Sequence, residues 1–217
     1  WKQKNTMTEK DVFDLAVHNK DLISVVKDFV SIGAKNFIFP KPMAITKKQL
    51  DELTKIKNTN RLKIAVASQW HYAEISKRAQ AAVEKIRKTS RIISVEADFS
   101  QFFDDDRLRS YTPTTALLPH ILEILYGMKI ISEQSKIELV EADRHKIHVR
   151  ATGLDGEAVT IKSNVRLQEK KRKLSIIYKD TDGTNRTMTV DYLGVLEGDY
   201  WAHYPSIEMN GKKKEVV

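Results

Sequence analysis

The chain has 217 residues, of which 41% are hydrophobic and none is cysteine, and its formal net charge is +8. This size and apolar content suffice for one large or two small globular domains. The absence of cysteine excludes disulfide bonds, thiolate metal sites and a cysteine nucleophile. The absence of cysteine also fits a reducing compartment, so we expect a cytoplasmic protein. The sequence contains no apolar run long enough for a membrane span and no signal-peptide pattern, so we expect no membrane partner.

The first third of the chain alternates short apolar runs with helical patterns, which is typical of βα units around a parallel sheet. Gly33 stands where the first helix would end, and Thr46 with Gln49 forms a capping box before the second helix. The predicted strands are Val12–Val17, Asn36–Phe39 and Leu62–Ser68.

A second region follows His71, where apolar residues recur at helical spacing from Ile75 to Ile86 and predict a helix that packs on a sheet. Ile92–Phe99 reads as a strand. Thr112 and Pro113 are an N-cap and first-turn pair that predicts one apolar helix continuing to Gly127.

From about Ile137 the pattern changes to alternating segments joined by Asp155-Gly156 and Asp182-Gly183, which are signals for antiparallel hairpins. The predicted fold class is therefore α/β plus α+β: the C-terminal half of a Rossmann-type parallel sheet, then a large, mainly antiparallel sheet with flanking helices. We place a partial dinucleotide-binding domain at residues 1–70 and a substrate-binding and oligomerisation domain at residues 71–217.

Two residues stand out as candidates for chemistry. Lys41 lies between Pro40 and Pro42 directly after a predicted parallel strand, at the end where ligands bind in open α/β sheets. An exposed lysine in a rigid loop is the competing interpretation. His120 interrupts an apolar helix, and Glu123 follows one turn later. A histidine that is satisfied by a structural partner is the competing interpretation there.

Four segments together resemble the glucose-fructose oxidoreductase and inositol dehydrogenase (Gfo/Idh/MocA) family. They are Asp11–Val17, the Gly33–Thr46 segment around Pro40-Lys41-Pro42, Val66–Tyr72, and the Leu118–Gly127 helix with His120. The resemblance spans most of the chain. It implies reversible hydride transfer between a sugar, nucleotide-sugar or polyol carbon and NAD or NADP.

The same resemblance implies roles for particular residues. Lys41 would orient the reacting hydroxyl and favour charge on its oxygen, and His120 would accept or donate the proton. The functional atoms of the pair would lie within about 10 Å across one cleft, so that a small substrate could contact both. Cofactor contacts are implied for His18, Asn19, Lys41 and Pro42, and substrate contacts for Gln69, Trp70, His71 and Glu123. A homodimer or tetramer formed through the antiparallel sheet is also implied.

Two alternatives stay open. Pro40 replaces the family's usual glutamate, and Ala116 stands where many members have an aspartate. These departures favour a relative without catalysis that acts as a dimerisation or binding domain. The basic charge favours a nucleic-acid-binding domain, but the lysines are scattered, so we expect no specific nucleic-acid partner.

The sequence lacks the Gly-x-Gly-x-x-Gly turn that holds pyrophosphate and begins at Trp1 rather than methionine. We therefore expect an upstream coding segment of roughly 60 to 80 residues that carries this turn after an apolar strand. Sequencing the DNA upstream of Trp1 tests this. A stop codon or unrelated sequence would contradict it and favour the non-catalytic relative.

Overall fold

The computed structural model describes residue 8 and residues 10–193, 195–197 and 200–216, without the side chains of residues 71, 110, 195–197 and 200–203. Contacts in space between residues divide the chain into two compact units. The first ends at Ser68 and the second begins at Gln69.

The first unit is a parallel sheet with helices between its strands. Its elements are β1 (Val12–Asp14), α1 (Asn19–Ser31), β2 (Asn36–Phe39), α2 (Lys47–Asn60) and β3 (Lys63–Val66). The strands pair in the order β1-β2-β3, and both pairings are parallel. The carboxyl ends of the strands therefore share one edge of the sheet.

The core of this unit follows from the apolar spacing of its elements. Phe37 and Phe39 of β2 are buried, as are Leu22 and Val26 of α1 and Leu53 of α2. The predicted βα units are confirmed, but β1 and β3 are shorter than expected. After β1, the amide of Val17 donates to the carbonyl of Leu15 at 2.8 Å, which turns the chain toward α1.

The second unit combines helices with long strands. Its helices are α3 (Gln69–Tyr72), α4 (Glu74–Thr89), α5 (Asp105–Ser110), α6 (Pro113–Ala116) and α7 (Leu118–Gly127). Its strands are β4 (Arg91–Phe102), β5 (Ile137–Ala142), β6 (Lys146–Thr152), β7 (Ala158–Asn164), β8 (Arg166–Lys179), β9 (Asn185–Asp191), β10 (Val195–Glu197), β11 (Tyr200–His203), β12 (Ser206–Met209) and β13 (Lys212–Glu215). None of the helices in the described part of the chain has the length and apolarity needed to cross a bilayer.

Among the described residues, eight strands of this unit form one sheet in the order β13-β12-β9-β8-β4-β7-β6-β5. Every pairing in it is antiparallel except that of β4 with β7. Residues of β8 alternate, so that Leu174 and Ile176 are buried in the core with α4 and α7 while Lys173 and Ile177 are exposed. The predicted fold class is confirmed.

The predicted single helix from Pro113 to Gly127 is wrong. The chain forms one turn, α6, which Thr112 caps as expected, and then restarts at Leu118. Pro119 explains the break, because it lacks an amide proton and its ring excludes a continuing helical carbonyl four residues earlier. His120 therefore lies in the first turn of α7 rather than in the middle of a helix.

An arginine on α4 connects three parts of the second unit. Arg87 donates to the carbonyls of Met128 and Lys129 at 3.0 and 2.9 Å, just beyond the end of α7. It also pairs with Glu157, 3.2 Å away, whose side chain is fully buried before β7. Glu157 in turn accepts from the amide of Asp155 at 2.8 Å. Its buried charge is thus both paired and hydrogen-bonded, as burial requires.

Gly153 lies against this buried carboxylate, and a Cβ at position 153 would overlap the side chain of Glu157. We predict that Gly153→Ala lowers the free energy of unfolding by about 1–3 kcal/mol, the usual cost of overpacking. Urea unfolding followed by circular dichroism measures it. Gly127→Ala is the control, because a Cβ at Gly127 meets open space. This helical alanine should stabilise by up to about 1 kcal/mol. Equal stabilities for the two variants would contradict the prediction.

Candidate active site

The carboxyl edge of the parallel sheet gathers the residues that were predicted to contact a cofactor. His18 and Asn19 follow β1, and Lys41 and Pro42 follow β2. His18 is the N-cap residue of α1 but makes no capping hydrogen bond with its side chain, which is exposed. The four residues are thus brought to one edge, while their cofactor contacts stay a prediction.

Hydrogen bonds join the loops at this edge. The side-chain amide of Asn19 donates to the carbonyl of Pro42. The side-chain amide of Gln49, in the first turn of α2, donates to the carbonyl of Asn19 at 3.2 Å. The oxygen of the same Gln49 side chain accepts from the amide of Ile45 at 3.0 Å. The starts of α1 and α2 are therefore held against the loop that carries Lys41.

Lys41 has a hydroxyl partner that the sequence interpretation missed. Its ammonium donates to Ser68 Oγ at 3.3 Å. The pairing of β2 with β3 matches Phe39 with Val66, and continuing that register by two residues matches Lys41 with Ser68. The amide of Ala67 donates to the carbonyl of Phe39 at 2.7 Å, which maintains the pairing beyond the end of β3. A strand register would have been needed to find this pair.

In the second unit, the predicted substrate residues gather around Trp70 of α3. Its ring centroid lies 5.3 Å from that of Tyr192 and 6.3 Å from those of both Phe99 and His120. All three rings meet Trp70 edge-on, a favourable arrangement for aromatic pairs. Trp70 thus connects the start of α7 with β4 and with the chain after β9.

Glu123 lies on the same side of α7 as His120. With Trp70 and Ser76 it lines a recess of about 30 Å³ between α4 and α7, which is large enough for one water molecule. His120 lies beside the ring of Trp70 and Glu123 lines the recess with it, while their contacts with a substrate stay a prediction. The side chain of His71 lies outside the described residues.

Trp70 also lines a larger cleft of about 550 Å³, within the size range of small-molecule sites. Gln69 and Trp70 line it together with Lys170, Arg172 and Tyr192. Burial and the nearby Arg107 lower the pKa of Arg172 to about 10. The two cations were not predicted as site residues, although Arg172 shares the inward-facing register of Leu174 on β8.

Within the described residues, no group of three histidine, aspartate or glutamate side chains is arranged to hold a metal ion. The arrangement instead offers an ammonium that donates to a hydroxyl in one unit and an imidazole beside an aromatic wall in the other. Lys41 belongs to the first unit and His120 to the second, and their approach to one another stays a prediction.

Neither a protein-family model nor a curated protein sequence matches the chain. Solved structures with the same fold do. An aldose-aldose oxidoreductase from Caulobacter crescentus is 12% identical with a TM-score of 0.72, covering 95% of this chain and 63% of its own. Gal80p from Saccharomyces cerevisiae, a super-repressor mutant, is 13% identical with a TM-score of 0.68, covering 94% and 60%.

A third similar structure is the WlbA dehydrogenase from Chromobacterium violaceum in complex with NADH and UDP-GlcNAcA. It is 12% identical with a TM-score of 0.64, covering 85% of this chain and 56% of its own. The chain spans about three fifths of the length of such neighbours. The resemblance to Gfo/Idh/MocA dehydrogenases is therefore confirmed at the level of the fold.

Tyr192, which packs against Trp70, should make the stability of the fold depend on pH. Burial raises the pKa of its phenol well above the usual value, while the facing Ser76 acts in the opposite direction. Above the unfolded tyrosine pKa of about 10, the unfolded chain releases the Tyr192 proton and the folded chain keeps it, so rising pH favours unfolding. In this range the Tyr192 phenol makes the free energy of unfolding fall by up to about 1.4 kcal/mol per pH unit. We expect Tyr192→Phe to abolish this contribution.

Urea unfolding between about pH 9 and pH 11 measures the effect, since this window brackets the unfolded pKa. The control is Tyr126→Phe, because Tyr126 is exposed. Its stability should follow that of the unchanged chain at every pH. A Tyr192→Phe curve parallel to the unchanged chain would contradict the prediction.

Proposed function

We propose that the chain belongs to the Gfo/Idh/MocA family and forms part of an NAD(P)-dependent oxidoreductase acting on a sugar, nucleotide-sugar or polyol. The observation that carries the proposal is the placement of Lys41 at the carboxyl edge of a parallel sheet, already donating to a hydroxyl. Ligands of open α/β sheets bind at this edge. The oxidoreductase neighbours with the same fold support the assignment.

The residues present fit one end of a dinucleotide. Asn19, Lys41 and Pro42 form a polar, internally hydrogen-bonded edge that suits a nicotinamide, whereas the chain has no glycine-rich turn for the pyrophosphate. The proposal therefore includes an upstream segment that supplies this turn, as the partial coverage of the neighbours also suggests. When bound, the cofactor would accept or supply the hydride.

The chain's own residues would manage the hydroxyl. In the oxidation direction, Lys41 donates to the substrate oxygen and stabilises the negative charge that grows there as the proton leaves. His120 accepts that proton, and the carbon that bore the hydroxyl gives up its hydride. Trp70 packs edge-on against His120 and fixes the position of the imidazole. In the reverse direction His120 returns the proton.

We predict that, in the protein extended by its upstream segment, Lys41→Met lowers kcat by about 10²–10³-fold, as loss of an electrostatic stabiliser does. His120→Ala should lower it by about 10²–10⁴-fold. Steady-state rates of NADH formation with sugar substrates measure both. Lys48→Met is the control, because Lys48 is exposed at the start of α2. Full turnover in both Lys41→Met and His120→Ala would remove the proposed pair.

We also predict that the chain without the upstream segment shows no saturable NADH or NADPH binding at micromolar concentration, because its sequence lacks the glycine-rich turn that would hold pyrophosphate. Fluorescence titration measures it. Tight stoichiometric binding would show that the described sheet edge suffices for the dinucleotide. The account of a separate phosphate-binding segment would then be wrong.

A non-catalytic regulator is the second candidate function, since a similar structure is that of a repressor, Gal80p. Pro40 and Ala116 support this candidate because they depart from the family pattern. The side of the large sheet away from α4 and α7 would then serve as the surface for dimerisation or binding. It carries polar pairs such as Glu96 with Lys162 at 2.6 Å. Retained binding of a sugar without turnover in the extended protein would favour this function.

A further inference from the structure

The cleft beside Trp70 has an imbalance of charge. Lys170 and Arg172 both line it, and neither forms an ion pair with a carboxylate among the described residues. Glu74 is the acidic residue among the lining side chains, and Arg78 already pairs with it at 2.8 Å. Among the described residues, the lining therefore presents positive charge without a counter-ion.

Arg172 is held in place by the protein. Its guanidinium donates to the carbonyl of Lys171 at 3.1 Å and to the side-chain oxygen of Gln101, and it lies 5.3 Å from the ring centroid of Phe99. These contacts engage only part of the five donors of a guanidinium. Arg172 is partly buried, and a buried cation without an anionic partner costs free energy. An anion that enters the cleft lowers that cost.

Neighbouring cations add to this effect. The pKa of Lys170 is lowered by partial desolvation and by the charges of Arg172 and Arg107. Arg172 is itself affected in the same direction by burial and by Arg107. Three basic side chains thus repel one another at this end of β8, and a bound dianion would relieve that repulsion.

The rest of the cleft suits the body of an organic ligand. Trp70, Tyr192 and Tyr204 contribute aromatic surface, and Leu193, Pro205 and Val216 contribute apolar surface. A volume of about 550 Å³ falls in the range of sites that enclose small molecules. An apolar wall beside two cations is the arrangement that orients an amphiphilic anion.

We propose that this cleft binds the phosphate groups of a sugar phosphate or nucleotide sugar, with Lys170 and Arg172 as the anion-binding residues. An arginine fork and a lysine point charge together match the geometry and double charge of phosphate esters better than a single carboxylate. The inference deepens the proposed function and rests on it for the role of the ligand as substrate. Binding itself requires neither the cofactor nor Lys41 or His120.

Isothermal titration calorimetry of the chain with uridine diphosphate tests the inference. We expect saturable binding, weaker binding of inorganic phosphate and of glucuronate, and none of the neutral polyol myo-inositol. Lys170→Gln should weaken uridine diphosphate binding about tenfold to hundredfold, the loss expected for one hydrogen bond to a charged group. Lys170 is exposed, so this variant leaves the core intact.

Lys173→Gln is the matched control. It removes the same charge three residues along β8, from an exposed position on the opposite side of the strand. Affinity for uridine diphosphate should be unchanged in this variant. Arg172→Lys, which keeps the charge but loses the fork, should weaken binding less than Arg172→Gln does. Circular dichroism verifies the fold of both Arg172 variants.

Four results would overturn the inference: no binding of uridine diphosphate, tighter binding of glucuronate, equal weakening in Lys170→Gln and Lys173→Gln, or tighter binding of a single-stranded oligonucleotide that Lys173→Gln also weakens. The last would assign the basic surface to nucleic acid instead. The catalytic proposal and the proposal of an anion-binding cleft can be contradicted independently. Turnover of neutral sugars without uridine diphosphate binding contradicts the cleft alone, whereas binding without turnover contradicts only the catalytic proposal.

Discussion

The packing of Trp70 against three rings from different parts of the second unit is the contact on which the candidate site depends. Phe99 comes from β4, His120 from the start of α7 and Tyr192 from the segment after β9. A large, rigid ring at this position fixes the separation of these segments and divides the space around it. Trp70 lines both the recess that contains Glu123 and the basic cleft. The proposed acid-base and anion-binding residues thus have Trp70 as a common neighbour.

In the first unit, an equivalent constraint comes from strand register rather than from a side chain. Parallel pairing sets the end of β2 beside the end of β3, and Lys41 meets Ser68 as a result. Asn19 and Gln49 then brace the adjoining loops through the carbonyls of Pro42 and Asn19. Functional groups that are far apart in sequence therefore meet through backbone pairing, which is also why the position of the lysine is well defined.

Much of the fold could be predicted from the sequence, because periodicity reports burial. The stripe on α4 and the alternation on the hairpin strands identified the elements, and Asp155-Gly156 and Asp182-Gly183 marked turns in which both glycines adopt positive φ, at 83°. The error at Pro119 arose because the apolar pattern continues across α6 and α7 while the backbone does not. Apolar spacing does not show where an amide proton is missing, so Pro119 has to be considered separately when the end of a helix is predicted.

The site was less accessible to sequence reasoning. Lys41 and His120 were identified by residue type and local context, but their partners Ser68 and Trp70 depend on contacts that only pairing and packing define. Lys170 and Arg172 were counted only within the scattered basic charge of the sequence. Strand alternation separates Arg172 from Lys171 and Lys173, and the cleft is lined by Arg172 and Lys170. The net basic charge alone therefore did not identify this cleft, whereas the placement of two of the charges supports the proposed anion site.

The bonds of Arg87 have a consequence for how the second unit opens. One guanidinium binds the carbonyls just beyond α7 and the buried carboxylate before β7 while its own backbone belongs to α4. Local separation of any one of these segments would break contacts of a buried charged group, which costs free energy. Fluctuations that release one segment should therefore release all three. Native-state hydrogen exchange should then give a common free energy of opening for amides in the three segments, as a single cooperative unit that includes the helix carrying His120.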